Sequence, residues 1–189
     1  TDKAMGWHEV GLSAYTAHNL PPDMEPGLKE GAFYDPSNFT FPAGTYICEV
    51  EVDPETGVTE VVQFTASDDF GTIINPMIVE GQVHGGIAQG IGQVLGEDTI
   101  YDDDGQLMTG TYLDYQLPRA EDIVDIDFTT HAVTCKTNPL GVKGCGEAGN
   151  GGAYPAVYNA IMDALDGNGG NELGIPATPP KVWKAINGK

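Results

Sequence analysis

Apolar and polar residues alternate from Thr45 to Val52 and again from Val58 to Ala66, with Asp53-Pro54-Glu55-Thr56-Gly57 between them. Period-two segments rich in β-branched residues, broken by a Pro and Gly turn, predict a hairpin with a five-residue connection. Asn75-Pro76 sets Pro at a first helical position, and Ile78, Val79, Val83, Ile87, Ile91, Val94 and Leu95 follow at helical spacing. That pattern predicts a helix to about Leu95. Residues 123 to 133 alternate as a strand through Ile126, Phe128 and Thr130, and 137 to 152 read as a long turn-rich stretch. A helix is expected from about Ala153 to Leu165, with Val157, Ile161, Ala164 and Leu165 on one face, and a short terminal helix from Pro179 to Ile186. Residues 1 to 44 carry Pro21-Pro22, Pro26-Gly27, Pro36, Pro42 and Gly44, and read as an extended lead-in with little structure of its own. The elements add up to an α+β fold, a mixed sheet with packed helices, occupying residues 45 to 189 behind that lead-in.

The long helix carries an unusual load of glycine: Gly81, Gly85, Gly86, Gly90 and Gly92. Each costs a helix interior ~0.8 to 1 kcal/mol relative to Ala. Such a load is sustained where another backbone, or a large cofactor, lies close against the helix. The pattern alone leaves both open.

Composition narrows the function classes. With 40% hydrophobic residues the chain can bury a sizeable core. Eight Lys and Arg against 28 Asp and Glu give a net charge of −20, which repels phosphate backbones and speaks against a basic nucleic-acid groove. No stretch reaches the ~18 to 20 apolar residues that cross a bilayer, and no charged-then-apolar leader opens the chain. Its start at Thr1 rather than Met suggests a processed or excised product. Cys48, Cys135 and Cys145 are too far apart for a zinc or iron–sulfur signature, and an odd count without an export signal points to a reducing, cytoplasmic setting. Asp102-Asp103-Asp104-Gly105 lacks EF-hand spacing, since Ile100 and Thr111 fall where the loop needs Asp and Glu; it reads as a hairpin turn.

The chemistry concentrates in residues 138 to 152, Asn-Pro-Leu-Gly-Val-Lys-Gly-Cys-Gly-Glu-Ala-Gly-Asn-Gly-Gly, just ahead of a helix. A glycine-dense backbone can approach a ligand closely, and a helix N-terminus suits an anion such as a pyrophosphate. Lys143 is its cation and Glu147 its carboxylate. A lone Glu in such a loop is ordinarily a solvated residue; its functional role would be a general base beside a bound cofactor. Gly144 to Gly149 also spells GxGxxG, with Asp166 downstream. A dinucleotide-binding turn needs a strand running directly into the glycines, and Lys136 to Lys143 contains Pro139 and Gly141, so a nucleotide-binding module is the weaker alternative.

Several of these segments together resemble a known family. Gly81-Gln82-Val83-His84-Gly85-Gly86-Ile87-Ala88-Gln89-Gly90, Asp114-Tyr115, Asn138 to Gly144 and Gly146-Glu147-Ala148-Gly149 are similar to the closing section of molybdenum-binding large subunits in the xanthine oxidase family of molybdenum hydroxylases. The likeness is closest to the aerobic carbon monoxide dehydrogenase-type branch, and runs from the Trp7–Pro26 lead-in to Pro179-Pro180-Lys181-Val182-Trp183. The resemblance implies a molybdopterin cofactor, often the cytosine dinucleotide in bacteria, with FAD and [2Fe-2S] clusters on partner subunits or domains. It implies oxidative hydroxylation of an aldehyde, an N-heterocycle or a related small substrate, with water as the oxygen source. Glu147 matches the family's catalytic base and Gln82 a residue near the metal. The segment Gly141, Val142, Lys143, Gly144, Cys145 and Gly146 matches the one that lies against the pterin.

Two departures stand out. Asn150-Gly151-Gly152 follows the Gly-Glu-Ala-Gly motif where the family pattern has a Thr and an apolar residue. The upstream half that supplies the substrate loop and further pterin contacts is also missing, so this chain is expected to hold about half of the cofactor site. The partners implied are that upstream half, an iron–sulfur subunit and an FAD subunit; a non-catalytic assembly scaffold is the alternative. His84 is expected to be a hydrogen-bonded structural residue.

Overall fold

The computed structural model describes residues 2–166 and 173–188. It falls into two compact units, residues 1–36 and 37–189.

The first unit contains a helix that the turn formers of the lead-in conceal, α1 (Trp7–Thr16). The Gly6 N–H donates to Glu9 Oε2 at 3.1 Å, closing its N-terminus, and Ala17 ends it in the left-handed conformation at φ 56°. The lead-in is therefore not merely extended. Glu9 three residues after the cap is the signal that could have announced it.

In the second unit, β1 (Ala43–Val52) and β2 (Thr59–Asp69) form the expected hairpin, antiparallel, with a register shift at Glu49/Val50. Gln63 faces Glu49 and Val61 faces Val50, so Val62 is the extra, bulged residue. The bulge explains why the inward positions of β2 run Val61, then Phe64, Ala66 and Asp68. β3 (Ile126–Thr130) pairs parallel to β2, which makes the three-stranded sheet mixed. α2 (Pro76–Leu95) starts where Asn75 Oδ1 accepts the Ile78 N–H at 3.2 Å. α3 (Ala148–Ala164) packs on α2 and β1, and α4 (Pro179–Asn187) ends the described chain. The core joins Phe64, Phe70, Val83, Ile87, Ile91, Val94, Val157 and Ile161, all buried.

One boundary differs in a way that matters. α3 begins at Ala148, not near Ala153, so the stretch read as loop includes the first helical turn. Gly149 in that turn lies against the α2 backbone, so the two helices touch backbone to backbone. A Cβ on Gly86 would sit 2.7 Å from the Asn150 nitrogen and 3.0 Å from Gly149 Cα, and one on Gly90 would sit 2.7 Å from Ala153 Cβ. Helix packing thus accounts for Gly86 and Gly90. Gly81 and Gly85 have nothing within 4 Å of such a Cβ. The Asp102 turn is also as expected: Tyr101 bridges Leu107, and Asp102 Oδ1 accepts the Asp104 and Gln106 N–H groups.

Candidate active site

The α2–α3 crossing brings the two motifs together. Gln82 is exposed on α2, and a Cβ on Gly146 would lie 3.9 Å from its Nε2. Glu147 is the N-cap of α3 at φ −119° and ψ 1°; it is exposed, and its carboxylate accepts no hydrogen bond from the described residues. The N–H groups of Ala148, Gly149 and Asn150 open the helix and find no acceptor among the described residues. Such a terminus favours an anion. Gly144 and Gly151 have open space where a side chain would be, as do Gly81 and Gly85 on α2.

The first half of the loop is strapped to the end of β2. Asn138 braces the turn from both sides, its Nδ2 donating to the Val142 carbonyl at 2.9 Å and its Oδ1 accepting the Val142 N–H at 3.1 Å. The Gly141 carbonyl accepts N–H groups from Thr72 at 2.9 Å and Cys135 at 3.0 Å, and the Lys143 N–H donates to the Phe70 carbonyl at 2.8 Å. Gly141 has φ +69°, and a Cβ there would meet Thr72 Oγ1 at 3.0 Å, so only glycine fits without strain. The Lys143 ammonium pairs with Asp69, both side chains mostly covered. That bond, with N–H groups of Val133 and Gly71, holds the Asp69 carboxyl down at about 2.

Among the residues expected to bind a cofactor, then, Gln82 and Gly146 lie together next to Glu147 in the chain, and Gly144 faces open space. Gly141, Val142 and Lys143 form the strap, with the Lys143 charge already matched by Asp69, and Cys145 packs partly buried against the core. Asp69 and Asn138 hold this loop, and neither stood out as a site residue. Of the residues after the Gly-Glu-Ala-Gly motif, Gly152 has a steric cause, since a Cβ there would lie 2.5 Å from Tyr46 Cε2, in the ring whose hydroxyl donates to the buried Asp68 at 2.7 Å; Gly151 faces open space, and nothing steric requires glycine there. Burial pushes the Asp68 carboxyl up, while the Tyr46 bond opposes that. His84 departs from expectation: its Nε2 is buried without a hydrogen-bond partner among the described residues, and its ring meets Phe128 edge-on at 6.3 Å. The GxGxxG reading loses its strand, because Val142 makes only an isolated antiparallel bridge to Gly71.

An α+β frame with a glutamine-bearing, glycine-rich helix crossing a Gly-Glu-Ala-Gly helix start defines the class. Residues 1–124 match the molybdopterin cofactor-binding domain family, and the chain belongs to that family, within the large subunits of the xanthine oxidase group. It is 42% identical over 179 residues to the carbon monoxide dehydrogenase large chain of Hydrogenophaga pseudoflava, covering 94% of this chain and 22% of that one. It is 39% identical over 181 residues to the nicotine 6-hydroxylase large subunit of Paenarthrobacter nicotinovorans, covering 95% and 22%. The fold superposes on carbon monoxide dehydrogenase from Oligotropha carboxidovorans with a TM-score of 0.84 at 34% identity, again over 95% of this chain and 22% of that one. The chain therefore spans less than a quarter of the length of these relatives. No described helix is long and apolar enough to cross a membrane.

Proposed function

We propose that this chain carries the base-bearing half of the cofactor site in a molybdenum hydroxylase. The reaction is oxidative hydroxylation of an aldehyde, an N-heterocycle or a related small substrate, with water as the oxygen source. The observation that carries this reading is the meeting of Gln82 with Gly146, next to Glu147, across a glycine-lined helix crossing. The open space at Gly81, Gly85, Gly144 and Gly151 fits a large group such as molybdopterin or its cytosine dinucleotide, and the Ala148 N–H, which has no acceptor among the described residues, suits its anionic part.

When bound, that group supplies a two-electron sink and a Lewis-acidic metal. The chain's residues do the rest. Glu147, exposed and without a protein partner for its carboxylate among the described residues, accepts the proton released as oxygen is transferred to the substrate. The Gln82 amide can donate to, or accept from, polar groups at the same place. The α3 terminus takes anionic charge, and the Asn138 and Asp69–Lys143 braces keep the loop in register. The electrons would be taken up by [2Fe-2S] and FAD groups on partner subunits, and the remaining part of the molybdenum subunit would complete the site.

The test is Glu147→Gln in the assembled enzyme, matched for molybdenum content. Reduction of the metal by substrate should slow by about 10²- to 10⁴-fold, the worth of a positioned acid–base group, with cofactor content unchanged. Asp103→Asn, in the exposed turn, is the control. Equal rates for wild type and Glu147→Gln would return the chain to the scaffold alternative.

A further inference from the structure

A second concave site lies at the other end of α2. Between Gln82 and Leu95 the helix advances roughly 20 Å at ~1.5 Å per residue, and there a cavity of about 570 Å³ opens among β2, the C-terminal end of α2 and the segment before β3. Its floor is apolar, with Val61, Ile91, Leu95 and Val124. Glu60, Glu121 and Asp122 stand in its wall, and among the described residues no Lys or Arg lines it. Arg119 offsets this only in part. Its guanidinium is 3.5 Å from Glu121 with both side chains largely in solvent, where such a pair is screened, and its backbone N–H, not its charge, holds Asp122.

Apolar side chains at its mouth mark the cavity as unfilled by the described residues. The bulge turns Val62 out of the ladder and toward the opening, leaving it 44% exposed beside Val58 at 42%.

Charge complementarity selects the occupant. A second copy of this chain would bring another −20 surface and be repelled, and so would nucleic acid or an anionic membrane. An apolar side chain flanked by Lys or Arg suits both the floor and the wall. We propose that this cavity seats a basic, apolar segment from the part of the molybdenum-subunit fold outside these 189 residues. The partner's identity rests on the proposed function; the charge and shape of the seat do not.

The experiment is co-expression of this chain with the Hydrogenophaga pseudoflava large chain from which the matching segment has been removed, followed by measurement of Kd. Wild type should form a complex that weakens with salt. Glu60→Lys combined with Glu121→Lys should weaken it at least ~10-fold, as reversal of interfacial charges does. Asp103→Lys combined with Asp104→Lys makes the same charge change in a remote turn and should leave Kd within ~2-fold, as distant rim charges do. Matching thermal unfolding of both variants excludes misfolding. No wild-type complex, or equal effects of the two double variants, would overturn the proposal. Saturable binding of benzylammonium in the cavity, with the complex unaffected by the Glu60/Glu121 change, would overturn it in favour of a small cation. Glu147→Gln should leave Kd unchanged, so failure of the base assignment and failure of the docking site are told apart.

Discussion

At the scale of single residues, glycines on one helix do two different jobs, and substitution separates them. Gly86 faces backbone atoms of α3, the Asn150 nitrogen among them, which cannot swing away as a side chain can. Gly86→Ala should therefore force the helices apart and destabilise by about 1 to 3 kcal/mol, the usual cost of overpacking. Gly85 has nothing within 4 Å. Gly85→Ala should stabilise the isolated chain by about 0.5 to 1 kcal/mol, because Ala loses less backbone freedom in a helix. Chemical denaturation of the two variants should move the midpoint in opposite directions. In the assembled enzyme Gly85→Ala should also lower cofactor content, if the open face takes the pterin. A midpoint shift of the same sign in both would remove the distinction between packing glycines and open ones.

At the scale of elements, the loop from Asn138 to Gly146 depends on the Asp69–Lys143 pair to hold it against the end of β2. The Asp69 carboxyl is held at about 2 by that pair and by two backbone N–H groups, below the ordinary value near ~3.9. A carboxyl depressed on folding adds stability that is fully present above its unfolded value and is lost as pH falls through its folded value. The window is therefore about pH 4 down to 2. Asp69→Asn should lower stability at neutral pH, and its difference from wild type should shrink across that window. Comparing variant with wild type cancels the contribution of Asp68, whose carboxyl is shifted the opposite way. Denaturant midpoints at steps from pH 7 to pH 2 check this; a difference that stays constant throughout would mean the pair holds nothing.

The same elements show how far the sequence could be read. α2 and α4 were legible at their starts because Asn75-Pro76 and Pro179-Pro180 punctuate them. The beginning of α3 was not. Gly149, Gly151 and Gly152 argue for a loop by propensity, and only the approach of Gly86 and the Tyr46 ring overrides them. β2 runs on to Asp69 for a similar reason: Ser67-Asp68-Asp69 looks like a polar end, yet the Tyr46 hydroxyl and the Lys143 ammonium partner its carboxylates. Gln82 and Glu147 were legible as motifs, but nothing in their spacing says that Gln82 comes up beside Gly146. The bracing by Asp69 depends on Lys143 and Val133, more than sixty residues away, and for that reason left no local trace; Asn138 bonds Val142 within its own turn, a local signal that an Asn ahead of Pro139 and Gly141 could have given.

At the scale of the whole molecule, charge is what the fold leaves furthest from balance. Eight basic residues face 28 acidic ones, and the described residues form three ion pairs. Only the Asp69–Lys143 pair is well covered; Arg119–Glu121 and Lys181–Asp98 are substantially exposed. Added salt weakens attraction and repulsion alike between solvent-exposed charges, shrinking the screening length from about 10 Å at 0.1 M to about 3 Å at 1 M. Here far more repulsion than attraction is available to be screened, and the covered pair is the least affected. Tm should therefore rise with sodium chloride. Each 1 kcal/mol of relieved repulsion should show as roughly 2 to 4 °C in a domain of this size. Chloride is the right anion, because sulfate would also strengthen apolar burial and raise Tm for a different reason. Thermal unfolding between low and about 0.5 M sodium chloride, a range over which screening becomes short, measures the slope. A flat or falling Tm would mean that local pairing, not net charge, governs the electrostatics of this chain. A rising one would show that the acidic surface is held against its own repulsion, a load that a basic partner would relieve.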